Sequence, residues 1–304
     1  MTINLKRTKL VIMADSKFSG YHIDRVMVTF INNGIFGALN EKEELSDGRY
    51  RQGSTPDAIS VQKAVEYIIK SDSDYIYEEN LSAEDIKQHF RTIRSKIDQS
   101  SQKYDCLIVI ISSHGNKDVV FGSDECPIKI QEIIEPFHNN EYEGLRGKAK
   151  LFVINGCRGD QGLSALVYDG SQMVTDLLKI TSEAQTATKV HTKGDYAVIY
   201  SASPDAKSGR DPKLGSPLIR HFFGEIRDLA KNNQLSQTSL MDIFDNMMKR
   251  YTEVEKESLP GIERYLRHKV YLPSKGKFYL IIRLSINKYY IITYMIDISQ
   301  VKTF

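Results

Sequence analysis

Short segments made almost entirely of apolar residues recur along the chain without alternating with polar positions. They cover residues 10–14, 106–111, 151–154 and 196–200. Unbroken apolar runs that are rich in β-branched and aromatic residues are typical of strands covered on both faces. The pattern therefore predicts a buried strand at each of these places.

Segments with helical periodicity lie between or after these runs. Residues 58–70 place apolar side chains three and four positions apart, which predicts a helix with one buried face. Ser82 with Asp85 forms a capping-box pattern for a helix that runs toward Ile97. Further helices are predicted over 128–137, 218–231 and 240–251. Alternating strands and helices predict an α/β fold, with a central, mostly parallel sheet flanked by helices on both faces.

Two candidate catalytic residues directly follow predicted strands. His114 follows the second run and precedes Gly115, while Cys157 follows the third run and lies between Gly156 and Gly159. Ligand sites of parallel sheets lie beyond the carboxyl ends of the strands, so the imidazole and the thiol are expected in one cleft. A thiolate is a strong nucleophile when a base supports it. The backbone N–H groups of Gly115 and Cys157 could then stabilise an oxyanion.

The residues alone leave other interpretations open. Cys106 lies inside an apolar run and fits a small buried hydrophobe, and Cys126 lies in a loop without catalytic neighbours. A histidine at the end of a strand is often structural. The pair His114 and Cys157, each flanked by glycine at a strand end, favours catalysis over these alternatives.

Composition narrows the class of protein. The chain has 304 residues, 41% of them hydrophobic and 26% charged, and its formal net charge is only +2. No dense basic run indicates a nucleic-acid partner. Three cysteines without paired spacing predict neither disulfides nor a zinc site, so we expect a reducing, cytoplasmic location and no metal or cofactor. The N-terminus has no signal-peptide pattern. Residues 278–296 are apolar, but Arg283, Asn287 and Lys288 within them argue against a membrane span.

The motifs around the two candidates resemble the catalytic signatures of caspases. Ser113-His114-Gly115 resembles the histidine signature, and residues 157–160, Cys-Arg-Gly-Asp, resemble the cysteine signature about forty positions later. The likeness continues through 121–123, 145–154, 196–210 and 259–273, so that it covers residues 8–273 in the order of the family. It implies a caspase-like three-layer sandwich and a cysteine endopeptidase that cleaves after aspartate. In that role Cys157 is the nucleophile and His114 the base.

The resemblance also implies a pocket for the aspartate side chain. Arg51 and Arg210 match the two arginines of the family, Asn155 stands where the family has glutamine, and Ser208 lies beside the second arginine. Guanidinium groups bind carboxylates through paired hydrogen bonds. The alternative for either arginine is an ordinary surface position.

Several positions depart from the pattern of the family. Asn155-Gly156 replaces Gln-Ala, which predicts a looser pocket that keeps an amide donor. Lys207 and Gly209 stand where the family commonly has bulky aromatic residues. Asp211 follows the second arginine, and its charge would disfavour an acidic substrate residue at the more distant subsite.

The resemblance divides the chain into segments. A short extension (1–8) precedes a large-subunit region (9–160), a linker (161–194), a small-subunit region (195–273) and a C-terminal extension (274–304). The short first segment resembles an effector caspase. Family members are activated by cleavage of the linker, for which Asp169 and then Asp176 are candidates, although either could be a polar loop residue. The last segment could be an added strand, a partner-binding tail or an artefact of the gene model.

The resemblance to the family implies partners for this protein, and two alternative functions stay open. We expect protein substrates with aspartate at the cut, a homodimer of large-plus-small subunits with residues 266–272 near the dyad, and a role in programmed cell death. A heterodimer with another caspase, or binding by inhibitor proteins, is also possible. One rival is an inactive caspase homologue that binds and regulates an active one. The other is a protease that prefers Arg or Lys, which needs an acidic pocket.

Overall fold

The computed structural model describes most of the chain between residues 20 and 297. It covers residues 20–37, 50–69, 73–159, 191–255 and 258–274, together with the backbone of 279–287 and 290–297. The helices are α1 (Ser54–Ile68), α2 (Ala83–Gln99), α3 (Ile130–Ile134), α4 (Pro217–Lys231) and α5 (Leu240–Val254). The strands are β1 (Gly20–Tyr21), β2 (Val26–Asn32), β3 (Asp74–Glu79), β4 (Cys106–Ser112), β5 (Gly115–Asn116), β6 (Val119–Phe121), β7 (Pro127–Lys129), β8 (Ala149–Asn155), β9 (Tyr196–Tyr200), β10 (Gly261–Tyr265), β11 (Lys269–Val270), β12 (Tyr279–Asn287) and β13 (Tyr290–Asp297).

A six-stranded sheet forms the centre of the protein. Its strand order is β10-β9-β8-β4-β2-β3, and every neighbouring pair is parallel except β10 with β9. Strands β2, β4, β8 and β9 are buried along their whole length. The predicted strands at 106–111, 151–154 and 196–200 are confirmed.

Helices cover both faces of this sheet. Along β4, Ile108 and Ile110 belong to the apolar cluster that includes the buried side chains of α1, α4 and α5. Leu107 and Val109 belong to the second cluster, which includes those of α2 and α3. Successive strand residues point to opposite faces, so an unbroken apolar run is what two helical layers require. The predicted α/β fold is confirmed.

The helix predictions hold, with the largest differences in boundaries at α1 and α3. Ser82 caps α2, since its side chain accepts a hydrogen bond from the backbone N–H of Asp85 at 3.1 Å. Helix α1 begins four residues before the predicted start, at Ser54. The segment predicted as a helix over 128–137 contains only the short α3, followed by a 3₁₀ turn at Glu135–Phe137. Pro136 lacks an N–H group and ends the regular helix there.

One central strand escaped the sequence pattern. Strand β2 lies between β3 and β4, but Thr29 interrupts its apolar run. The hydroxyl of Thr29 is buried, and it forms a hydrogen bond of 2.6 Å with Nε2 of His89 on α2. This hydrogen bond satisfies the polar group inside the core. The strand predicted at 10–14 lies outside the described residues.

The apolar segment near the C-terminus forms two strands where the structure describes it. Strands β12 and β13 pair with each other in antiparallel fashion. No helix in the described part of the chain combines the length and apolar character needed to cross a bilayer.

Phe152 offers a direct test of the packing beneath the site. It lies in the centre of β8 with no exposed surface, and its ring contacts those of Phe137 and Tyr196. We expect Phe152→Ala to lower the free energy of unfolding by about 3–5 kcal/mol, because it leaves a cavity between packed rings. Ile59→Ala, at a position that is 47% exposed, should change it by less than about 0.5 kcal/mol. Urea unfolding of both variants measures the difference, and equal effects would contradict this account of the core.

Candidate active site

Two neighbouring parallel strands bring the candidate base and nucleophile together. Strands β4 and β8 end in register, with Ser112 opposite Asn155, and His114 and Cys157 each follow two residues later. Both side chains border a cavity of about 340 Å³. The cavity is lined by Tyr50, Arg51, Gln52, Ser113, His114, Gly156, Cys157, Ser208, Arg210 and Pro212. The sequence prediction that one cleft holds the imidazole and the thiol agrees with this placement.

A larger groove lies at the other end of the sheet. It has a volume of about 650 Å³ and is lined by residues such as Arg25, Asp74, Lys96 and Tyr104, next to the amino ends of β2, β3 and β4. Its lining contains neither histidine nor cysteine. Of these two cavities, the smaller one is lined by both an imidazole and a thiol.

Gly115 allows the two catalytic segments to approach closely. A Cβ atom at this position would lie 2.7 Å from the carbonyl oxygen of Cys157 and 3.0 Å from that of Val119. The first distance is shorter than real Cβ contacts and the second is unusually tight, so a larger residue would require the backbone of Cys157 to shift. The glycine beside His114 is thus explained by packing against the backbone of Cys157.

His114 is held against an aromatic ring and kept neutral. The centroid of its imidazole lies 4.4 Å from that of Phe36, a residue that the sequence analysis missed. Burial lowers the pKa of His114 below its usual value, and the positive charge of Arg51 lowers it further. A neutral imidazole at neutral pH is ready to accept a proton.

The environments of the three cysteines differ. Cys157 is partly exposed at the cavity, and the N–H group of Ser208 donates to its sulfur at 3.4 Å. Cys106 is buried inside β4, and burial raises its pKa to about 12, so its thiol stays protonated. Cys126 is exposed, and a hydrogen bond with Asp124 raises the pKa of its thiol. Of the three, Cys157 is the one that shares a cavity with an imidazole, that of His114.

Arg51 is a buried cation at the wall of the cavity. Its guanidinium donates two hydrogen bonds of 3.0 Å to the hydroxyl of Ser112 and one of 3.2 Å to the backbone carbonyl of Asn155. Burial lowers its pKa to about 10, which leaves it charged at neutral pH. The hydrogen bonds found for this side chain among the described residues therefore all go to neutral oxygens.

Arg210 is paired with a carboxylate that the sequence analysis missed. Its Nη1 lies 2.9 Å from Oδ2 of Asp57, whose side chain is 1% exposed. Burial raises the pKa of Asp57 to about 6, against the opposing effect of Arg51. In the sequence, the feature that could have pointed to Asp57 is its position in the first turn of α1, six residues after Arg51.

The structure corrects the expectation for Asn155. Its amide nitrogen donates to Ser112 at 2.7 Å and to Asp57 at 3.3 Å, and its oxygen accepts from the hydroxyl of Ser216 at 2.6 Å. Asn155 is fully buried and is not part of the cavity lining. Its amide therefore supports the wall of the cavity through Ser112, Asp57 and Ser216.

The remaining predicted site residues are placed as follows. Ser208 lines the cavity, as expected for a substrate-binding position. Asp211 accepts hydrogen bonds from the N–H groups of Lys213 and Leu214 at 2.7 and 2.8 Å, and so closes a turn beside the cavity. The processing candidates Asp169 and Asp176 lie outside the described residues.

Comparison with known proteins supplies the family. The family model described as the caspase domain matches residues 25–271, well over half of the chain. The chain belongs to the caspase family. Caspase-3 of Mus musculus is 27% identical over 232 residues, which cover 74% of this chain and 77% of that protein. Caspase-3 of Mesocricetus auratus is 30% identical over 180 residues, or 58% of each chain. Caspase-9 of Homo sapiens is 28% identical over 189 residues, or 55% of this chain and 44% of that protein.

Membership in the caspase family supports a caspase-like protease role in general terms. The matched region begins just before β2 and ends in residue 271, next to β11. The family match therefore begins at residue 25, whereas the sequence analysis placed the start of the resemblance at residue 8. The chain spans less than two thirds of several of the relatives that it matches.

Proposed function

We propose that this protein is a cysteine endopeptidase that cleaves protein substrates after aspartate. The observation that carries the proposal is the buried guanidinium of Arg51, which lies at the wall of the cavity that contains Cys157 and His114. Its hydrogen bonds within the described chain go to neutral groups, so its charge is available to a substrate carboxylate.

The balance of charges supports an acidic substrate residue. Arg51 and Arg210 bring two positive charges, and the carboxylate of Asp57 neutralises one of them. One net positive charge remains, which matches the single negative charge of an aspartate side chain. A lysyl or arginyl side chain would add a third cation, so the rival preference for basic residues is disfavoured.

The chemistry we infer is acyl transfer through a thioester. Neutral His114 accepts the proton of the Cys157 thiol, and the sulfur attacks the carbonyl carbon of the aspartyl bond. The N–H groups of Gly115 and Cys157 stabilise the oxyanion. His114 then donates the proton to the leaving amine, and water hydrolyses the thioester to release the acid and the free thiol. No metal or cofactor takes part.

The biological setting is proposed from the family. We infer a cytoplasmic zymogen that acts in programmed cell death after cleavage of the linker at Asp169 or Asp176. A homodimer would form at the open edge of the sheet, where Glu263, Arg264 and Tyr265 of β10 are exposed, together with residues 266–272. Another caspase or an inhibitor protein could occupy the same edge or the cavity.

An active-site label tests the proposed specificity. The full chain is treated with a peptide electrophile that presents aspartate at the reactive carbonyl, and a lysyl electrophile serves as the matched control. We expect the aspartyl reagent to modify Cys157 at least about tenfold faster, because Arg51 binds its carboxylate. Peptide mass spectrometry locates the modification.

Two results would count against the proposal. Equal rates for the two reagents would remove the assigned specificity. No modification of Cys157, even after the linker is cut, would make a non-catalytic caspase homologue the better account.

A further inference from the structure

We propose that Asp57 is a positioning residue, which fixes Arg210 at the cavity and thereby sets its selectivity for a carboxylate. This inference rests on the proposed function, since it concerns the aspartate pocket of the same site. Asp57 does not line the cavity, and its side chain is almost completely buried behind it. It therefore acts through the residues that it holds.

The carboxylate of Asp57 connects two separate parts of the chain. Oδ2 accepts from Arg210 at 2.9 Å, from Asn155 at 3.3 Å and from Ser112 at 3.3 Å. Oδ1 accepts from the backbone N–H of Ser216 at 2.6 Å. Two of these partners precede the linker region and two follow it. Asp57 thus ties the segment that carries Arg210 to the strand ends of the sheet.

Close packing keeps this segment against the start of α1. Gly215 has a φ of +82°, and a Cβ atom there would overlap Oδ1 of Asp57. A Cβ atom at Gly53 would lie 2.6 Å from the carbonyl oxygen of Asp211. The turn from Asp211 to Gly215, closed by two backbone hydrogen bonds, therefore lies directly on the helix N-terminus that holds Asp57.

The charge of Asp57 is needed for this arrangement. Arg51 and Arg210 would repel each other across the cavity wall without an intervening anion. A neutral amide whose oxygen accepts from Arg210 and Asn155 would turn its NH2 group toward the N–H of Ser216, which is also a donor and lies 2.6 Å from Oδ1 in the wild type. Removal of the charge should release Arg210, which is already 18% exposed on its side chain.

Kinetics with paired substrates tests the inference. Asp57→Asn is compared with wild type on peptides that differ only in aspartate or asparagine before the cut. We expect the preference for aspartate, expressed as the ratio of kcat/KM values, to fall at least tenfold, mainly through KM, while alkylation of Cys157 by iodoacetamide is unchanged. Asp228→Asn removes the same charge from an exposed surface pair and should leave the ratio unchanged.

A second readout does not depend on turnover. Phenylglyoxal modifies accessible arginines, and we expect Arg210 to react at least fivefold faster in Asp57→Asn than in wild type, as measured by peptide mass spectrometry. Asp57→Ser, which introduces no amide donor, should behave in the same way and replaces Asp57→Asn if that variant does not fold.

The outcomes separate the role of Asp57 from the proposed function. If the wild type does not cleave the aspartyl peptide, the proposed function is wrong, while faster modification of Arg210 in Asp57→Asn would still support the role of Asp57. An active wild type with an unchanged ratio, or unchanged reactivity of Arg210, would overturn that role. An increased preference for aspartate would also overturn it, because Asp57 would then compete with the substrate for Arg210.

Discussion

Cys157→Ala is expected to abolish peptide cleavage, with a loss of at least about 10⁴-fold in kcat/KM on an aspartyl peptide. The reason is that no thioester can form without the sulfur, and Cys157 supplies the one thiol among the residues that line the cavity. His114→Ala should cause a loss of similar size, because the thiol then lacks its proton acceptor. Residues that act as one unit have non-additive effects, so the double variant should be no worse than either single variant.

The other cysteines provide the matched control for this prediction. Cys126→Ala changes an exposed thiol and should retain full activity. Steady-state kinetics on the purified full chain, with the fold of each variant checked by circular dichroism, measures all these rates. Retention of more than about a tenth of the activity in Cys157→Ala would refute its assignment as nucleophile.

Arg51→Met is expected to reduce kcat/KM for an aspartyl peptide by roughly 10²-fold, or about 2.7 kcal/mol at 1.36 kcal/mol per factor of ten. Methionine fills much of the same volume but leaves the substrate carboxylate without its buried cation. The peptide with asparagine before the cut has no charge to lose, so its cleavage should change far less. The selective loss separates recognition from general damage to the site.

An exposed arginine serves as the control for Arg51. Arg91 lies on α2 and forms a surface ion pair with Glu84, in which 61% of its side chain is exposed. Arg91→Met should leave kcat/KM unchanged for both peptides. If Arg51→Met lowered the cleavage of both peptides equally, Arg51 would have only a structural role, which its hydrogen bonds to Ser112 and Asn155 could also explain.

Local signals in the sequence were sufficient for much of the fold. Three apolar runs without alternation predicted the strands β4, β8 and β9, because a strand covered on both faces needs apolar residues at every position. The pairing of Ser82 with Asp85 predicted the start of α2, because a helix N-terminus needs an acceptor close in sequence. Strand β2 was missed because Thr29 breaks its pattern, and only the packing of α2 supplies the buried partner, His89, that makes this threonine acceptable.

The sequence by itself identified the candidate groups of the site, which are an imidazole and a thiol that follow two predicted strands, the glycines beside them, and two candidate arginines. Only the tertiary structure showed which groups those arginines contact. Asp57 is 153 positions from Arg210 along the chain, so no local pattern links them. Folding places them together and buries Asp57 almost completely, which turns an ordinary aspartate at a helix start into the counter-charge of the partly exposed Arg210. The same folding directs the amide of Asn155 to Ser112 and Ser216, behind the cavity wall, where sequence reasoning had expected it to face a substrate.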